Sequence, residues 1–188
     1  MKQWQNKKRI AFIIIVLLAA CFWWMYLTGD LVLFAEKIIN ETPEAKVNAY
    51  IQAITKNNKE QALSVWEFPG WWNSSFIGFD QLKERREKTT DDLLKAKINS
   101  NFTVTRIEWW NTCCVPSVTD DSNWANGARV YVQLTDFSNN KLFYIFDVFV
   151  LKGYRQPGLG NSVRHWTIRD IYSQDQEPLF WTREDGVL

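Results

Sequence analysis

Histidine is almost missing from this chain: His165 is the one imidazole in 188 residues, so a histidine-rich metal centre is excluded. Cysteine is scarce as well. Cys21, Cys113 and Cys114 form no Cys-x-x-Cys at a helix start and have no zinc-ligand spacing, which argues against a thioredoxin-type pair and a zinc knuckle. No glycine-rich phosphate loop precedes a helix, because Gly153, Gly158 and Gly160 fall between strands, and no Ser-His-Asp pattern stands out. Nothing in these absences calls for a metal or a cofactor. An excess of one charge is also lacking, with 22 basic and 21 acidic residues. Lys2, Lys7, Lys8 and Arg9 crowd into the first nine positions, which leaves 18 basic against 21 acidic residues, a net of −3, on the remainder. A nucleic-acid binder would carry a basic stripe on its domain, and this one does not. No internal repeat and no low-complexity segment is present.

What the chain does have is tryptophan and one long apolar run. Eleven Trp occur, some adjacent (Trp23-Trp24, Trp71-Trp72, Trp109-Trp110), and they read as large core anchors plus a membrane-interface belt. From Ile10 through Leu17 to Leu27 there are 18 consecutive residues without a charge. A helix of about 20 apolar residues crosses the hydrocarbon layer, and a soluble core helix is seldom apolar on every face for that length. Lys7, Lys8 and Arg9 precede the run, so the positive-inside bias keeps the N-terminus cytoplasmic and exports the rest of the chain. Trp23, Trp24 and Tyr26 fall at the outer end, where amphipathic rings favour the headgroup region. Leu31 to Ala35 either extends the helix or lies along the interface.

A lipoprotein signal competes with the uncleaved anchor. Leu18-Ala19-Ala20-Cys21 resembles a bacterial lipobox, which would be cut after residue 20 and lipidated on Cys21. The hydrophobic continuation Phe22 to Leu27 fits an uncleaved helix better. Both readings export the domain. The expected organisation is a cytoplasmic tail over 1–9, an anchor over 10–35, a linker over 36–42, one domain over 43–175 and a tail over 176–188.

Within the domain, Thr42-Pro43-Glu44 opens a helix with a cap, a first-turn proline and an acid, predicting a helix over 43–55. The polar turn Lys56 to Lys59 separates it from a second helix over 59–67, stopped by Phe68-Pro69-Gly70. A third, largely solvated helix spans 80–97, with Leu82, Leu93 and Leu94 as its narrow apolar stripe. The period then changes to two. Phe102 and Val104 alternate, and the parity shifts before Ile107, which marks a bulge. Ala128 to Leu134 alternates cleanly, Leu142 to Leu151 is apolar on both faces like a central strand, and His165 to Tyr172 is the last strand. Helices first and a strand meander after them give an α+β fold, with the helices on one face of a curved antiparallel sheet.

That order resembles the nuclear transport factor 2-like superfamily, the cone-shaped fold of ketosteroid isomerase-like and polyketide cyclase-like proteins. It covers 43–173 and is carried by A-x-x-x-x-Y-I-x-A-I at Ala45 to Ile54, N-N-K-E-x-A-L-x-x-W at Asn57 to Trp66, and four long strands. Ile107 to Pro116 also resembles a segment of membrane-anchored bacterial members of that superfamily. The resemblance implies a cone with a pocket, and the fold hosts enzymes, binding modules and assembly scaffolds alike. In layout, a short tail, one helix and such a domain resemble the inner-membrane scaffold of type IV secretion machines.

Asp147 is the first candidate site residue. With Asn139-Asn140 as a two-residue turn, Leu134 pairs with Ile145, Val132 with Asp147 and Val130 with Phe149, setting a carboxylate on an apolar face. Desolvation there would raise its pKa toward that of a general base, with His165 or Tyr131 as helper. The plainer alternative is a buried Asp tied to backbone amides or to an arginine such as Arg106 or Arg169. His165 also reads as a strand-end polar residue, or as half of an acid–base pair with Asp147 or Asp170. Adjacent Cys113 and Cys114 read either as a vicinal disulfide or as two reduced thiols. The expected function is a membrane-anchored extracytoplasmic binding or assembly domain. Its partner would be the membrane, another membrane or envelope protein, or a second copy. The alternative is an enzyme or small-molecule binder working from the pocket with Asp147.

Overall fold

The computed structural model describes residues 2–28, 30–66, 79–111, 117–119, 125–152 and 164–179. Helix α1 (Lys2–Thr28) has no polar face over its central run, and its stretch Lys7–Thr28 is long and apolar enough to cross a membrane or to serve as a signal sequence. None of that stretch is buried against the rest of the chain. At about 1.5 Å per residue its 22 residues measure about 33 Å, slightly more than a hydrocarbon core. Helix resumes at Asp30 as α2 (Asp30–Ile38), with residue 29 outside the described residues, so the expected 36–42 linker is helical as far as Ile38.

Local chemistry sets the next helices. The Thr42 hydroxyl accepts the Ala45 amide at 3.1 Å and Pro43 occupies the first turn of α3 (Pro43–Thr55). Asn57 leaves that helix with φ of 55°, and the Asn58 side chain then accepts the Gln61 amide at 2.9 Å to cap α4 (Lys59–Ser64). Helix α4 stops three residues short of the expected 67. The Val65 carbonyl is drawn onto the sheet, accepting the Thr167 hydroxyl at 3.2 Å and the Ile168 amide at 3.4 Å. Helix α5 (Phe79–Ala96) ends at Lys97, whose φ is 50°.

The strands are β1 (Ile98–Asn111), β2 (Ser117–Thr119), β3 (Gly127–Asp136), β4 (Lys141–Lys152) and β5 (His165–Ser173). The four long ones lie in the order β1-β3-β4-β5, all antiparallel, and short β2 extends the β1 edge. This is the expected α+β arrangement with an open sheet. The parity shift in β1 is a bulge at Thr105, between the Val104–Val132 and Arg106–Tyr131 pairs.

Val47, Tyr50, Ile51 and Ile54 recur at helical spacing on α3 and pack with Val130, Val132, Phe146, Ile168 and Ile171. Each such aliphatic side chain contributes about 1.5–3 kcal/mol on burial. Tyr50 joins the layers: its ring sits edge-on to Phe146 at 5.8 Å, and its hydroxyl lies 3.0 Å from that of Thr90 on α5.

The β3–β4 turn corrects the expected register. Asp136 pairs with Asn140 through the backbone, and its carboxylate accepts the Ser138 and Asn140 amides at 2.8 Å each and the Asn140 side chain at 2.9 Å. The loop is thus Phe137-Ser138-Asn139, with Asn139 in the left-handed region at φ 64°. A three-residue loop moves every pair by three: Leu134 faces Leu142, Arg129 faces Asp147 and Gly127 faces Phe149. An odd shift inverts the faces. Asp147 therefore leaves the Val130–Val132–Leu134 side and lies on the opposite face of the sheet.

Candidate functional site

On that face Asp147 is buried, and Arg129 holds it with two parallel bonds, Nε to Oδ1 at 2.8 Å and Nη2 to Oδ2 at 3.1 Å. The Tyr172 hydroxyl donates to the same carboxylate at 3.3 Å. The Arg129 guanidinium stacks over Trp110, 4.2 Å from the ring centroid, and Phe149 sets its ring edge-on to Trp110 at 6.2 Å. The charges continue across the strands: the Tyr131 hydroxyl donates to Glu108 at 3.1 Å, and Arg106 pairs with Glu108.

Electrostatics follow from this geometry. Burial pushes the Asp147 carboxyl up from its ordinary value, and Arg129 and Tyr172 pull it back. Burial works against the Arg129 charge, but Asp147 outweighs it and leaves the guanidinium above its usual range. A guanidinium keeps its proton in proteins, so the pair is an ion pair with both carboxylate oxygens engaged. Tyr172 is raised by burial and then by the Asp147 charge, and Tyr131 by burial and then by Glu108. Neither phenol is primed to lose a proton near neutrality.

Asp170 is the cross-strand neighbour of Asp147, but His165 is not gathered here. His165 pairs with Lys152 at the start of β5, whereas Asp147 pairs with Asp170 five residues along, which separates His165 from both acids by about 16 Å. His165 Nδ1 lies 3.4 Å from Glu41, which also binds Lys46 at 3.2 Å, so it belongs to the strand-end cluster. Asp170 is buried, bonded by Arg85 of α5 at 3.1 Å and by the Leu179 amide at 2.9 Å, and burial pushes its carboxyl up to about 6.

No family model, curated protein or solved structure matches this chain. Two cavities are lined by described residues: one of about 240 Å³ between α5 and the chain after β5, lined by Arg85, Lys88 and Gln176, and one of about 270 Å³ beside Phe143 and Ser173. Neither includes Asp147. Cys21 is a free, exposed thiol on α1. Cys113, Cys114, Trp71, Trp72 and Trp124, along with the glycine loop before His165, lie outside the described residues.

A second cluster went unanticipated. Glu36 of α2 and Arg164, each 2% exposed, form a bidentate pair, with Arg164 Nη2 bonded to Oε2 at 2.8 Å. The Arg164 backbone amide donates to Glu36 at 3.1 Å, its Nη1 donates to the Ala125 carbonyl at 2.7 Å, and the guanidinium lies 5.0 Å from the Trp166 ring centroid. A lone acid inside the apolar run 31–39 was the available signal for Glu36. Arg129 had a signal too, as a cation alternating with the core residues of β3 across from the one acid of β4, but the two-residue turn hid it.

Proposed function

We propose that this chain is a single-pass, membrane-anchored extracytoplasmic binding or assembly domain with a cytoplasmic N-terminus, of the nuclear transport factor 2-like kind. One observation carries the reading. None of the apolar window of α1 is buried against the rest of the chain, so lipid is the solvent that matches it. Lys7, Lys8 and Arg9 at its start support the inward N-terminus. Glu36 and Arg164 support a domain carried in a fixed pose close to the bilayer. A tether held this way suits a protein that presents a surface to a membrane or envelope partner, or to a second copy. The pocket-enzyme alternative requires Asp147 to accept a proton, and Arg129 occupies both of its oxygens.

The test is fractionation and topology of the full-length chain. Expressed in cells, it is expected to resist alkaline carbonate extraction, with its domain cut by protease added from the outer side. Recovery as a monomer in a detergent-free soluble fraction overturns the anchor. Intact mass of the membrane-extracted protein separates the uncleaved helix from a chain that begins at a lipidated Cys21.

A further inference from the structure

Beyond β5 the chain turns back on itself. The Gln176 amide donates to the Ser173 carbonyl at 3.0 Å, and the Gln176 side chain accepts the Ser173 amide at 3.1 Å. Residues 174–179 then run back toward Asp170 on the α5 side of the strand. They do not join the sheet. Among the described residues their only backbone-to-backbone bond is the one in that turn, and Pro178 has no amide to add to a ladder. Gln174 to Glu177 are exposed, so burial does little to hold them. Two side chains hold them instead. Arg85 Nη1 donates to the Glu177 carbonyl at 2.8 Å, and the Asp170 carboxylate accepts the Leu179 amide at 2.9 Å. Beneath lies the cavity of about 240 Å³, walled by Arg85, Lys88 and Thr89 of α5 and by Gln176 and Leu179. The segment bridges a space.

Lifting it costs little, for a reason of charge. Arg85 and Asp170 are bonded to each other at 3.1 Å, so neither is stranded when Glu177 and Leu179 leave. The backbone groups set free meet water, which satisfies them about as well. Asp170 Oδ1 is buried without a hydrogen-bond partner while the segment is down, and hydration on opening removes that cost.

We propose that residues 174–179 are a strap that opens and closes as a unit over the cleft between α5 and β5, with Arg85 and Asp170 as its latch. Open, the cleft admits molecules too large for the closed cavity. The strap does not depend on α1 spanning a membrane.

Thiol labelling of the full-length chain in detergent micelles tests it, with the three native cysteines replaced by serine. Thr89→Cys sets a thiol on the cavity wall, and Ala62→Cys sets one in the core, where global unfolding is needed to expose it. The reagent is fluorescein maleimide, which is larger than the cavity. Position 89 is expected to react faster than position 62. Arg85→Gln or Asp170→Asn is expected to speed position 89 by about 10- to 100-fold, and position 62 by a smaller factor. Equal rates at the two positions, or equal acceleration of both, overturn the strap, because the cleft then opens only as the domain unfolds. No acceleration at position 89 overturns the latch.

Hydrogen exchange of the unmutated chain gives an independent reading. The Leu179 amide is expected to exchange at a rate that low urea leaves unchanged, unlike the core amides of Phe146 and Val148. A Leu179 rate that climbs with urea as theirs do overturns the proposal.

Discussion

Asp147 and Asp170 face each other across β4 and β5, and two different arginines hold them. Arg129 engages both oxygens of Asp147, but Arg85 and the Leu179 amide share one oxygen of Asp170, and Oδ1 has no hydrogen-bond partner among the described residues. Burial therefore wins at Asp170, which keeps its proton to about pH 6 in the fold, against an ordinary value of 3.8. Between those values the folded chain binds more protons than the unfolded one, so stability falls as pH rises from about 4 to about 6 and is flat above. The amplitude is about 3 kcal/mol. Chemical unfolding of wild type and Asp170→Asn across that range checks it: the difference between the two curves is expected to slope, and a pH-independent difference refutes the assignment.

At the scale of elements, short-range chemistry was legible and long-range choice was not. Thr42-Pro43 and Asn58 place the starts of α3 and α4 because each cap bonds within three residues of itself. The Thr105 bulge shows as a change of parity. The β3–β4 register does not, because it turns on which of several polar residues the Asp136 carboxylate captures. That choice decided on which face Asp147 lies, and with it the identity of its arginine.

The same turn gives an element-scale prediction. Asn139 sits at φ 64°, a region costing an ordinary side chain about 1–2 kcal/mol and glycine nothing. Asn139→Gly is expected to be neutral or slightly stabilising, and Asn139→Val to lose about 1–2 kcal/mol, with an unchanged denaturant slope. Equal midpoints for Gly and Val in urea unfolding would mean the loop is not this one.

For the whole molecule the decisive contact spans 128 residues, from Glu36 of α2 to Arg164 at the head of the last strand. No local pattern announces such a pair, which is why 36–42 read as a linker. Both charges are out of water, so removing one strands the other: Arg164→Met is expected to cost about 3–5 kcal/mol, whereas Glu36→Leu with Arg164→Met recovers most of it. Stability alone would not distinguish a clamp from any buried pair. A nitroxide pair at Leu27 and Lys56, measured by pulsed electron resonance in nanodiscs, reads the coupling itself. Wild type is expected to give one narrow distance, and the double variant a broad one despite its restored stability. A narrow distribution in both would mean that α1 and the domain are held together elsewhere, and that the Glu36–Arg164 pair only fills its site.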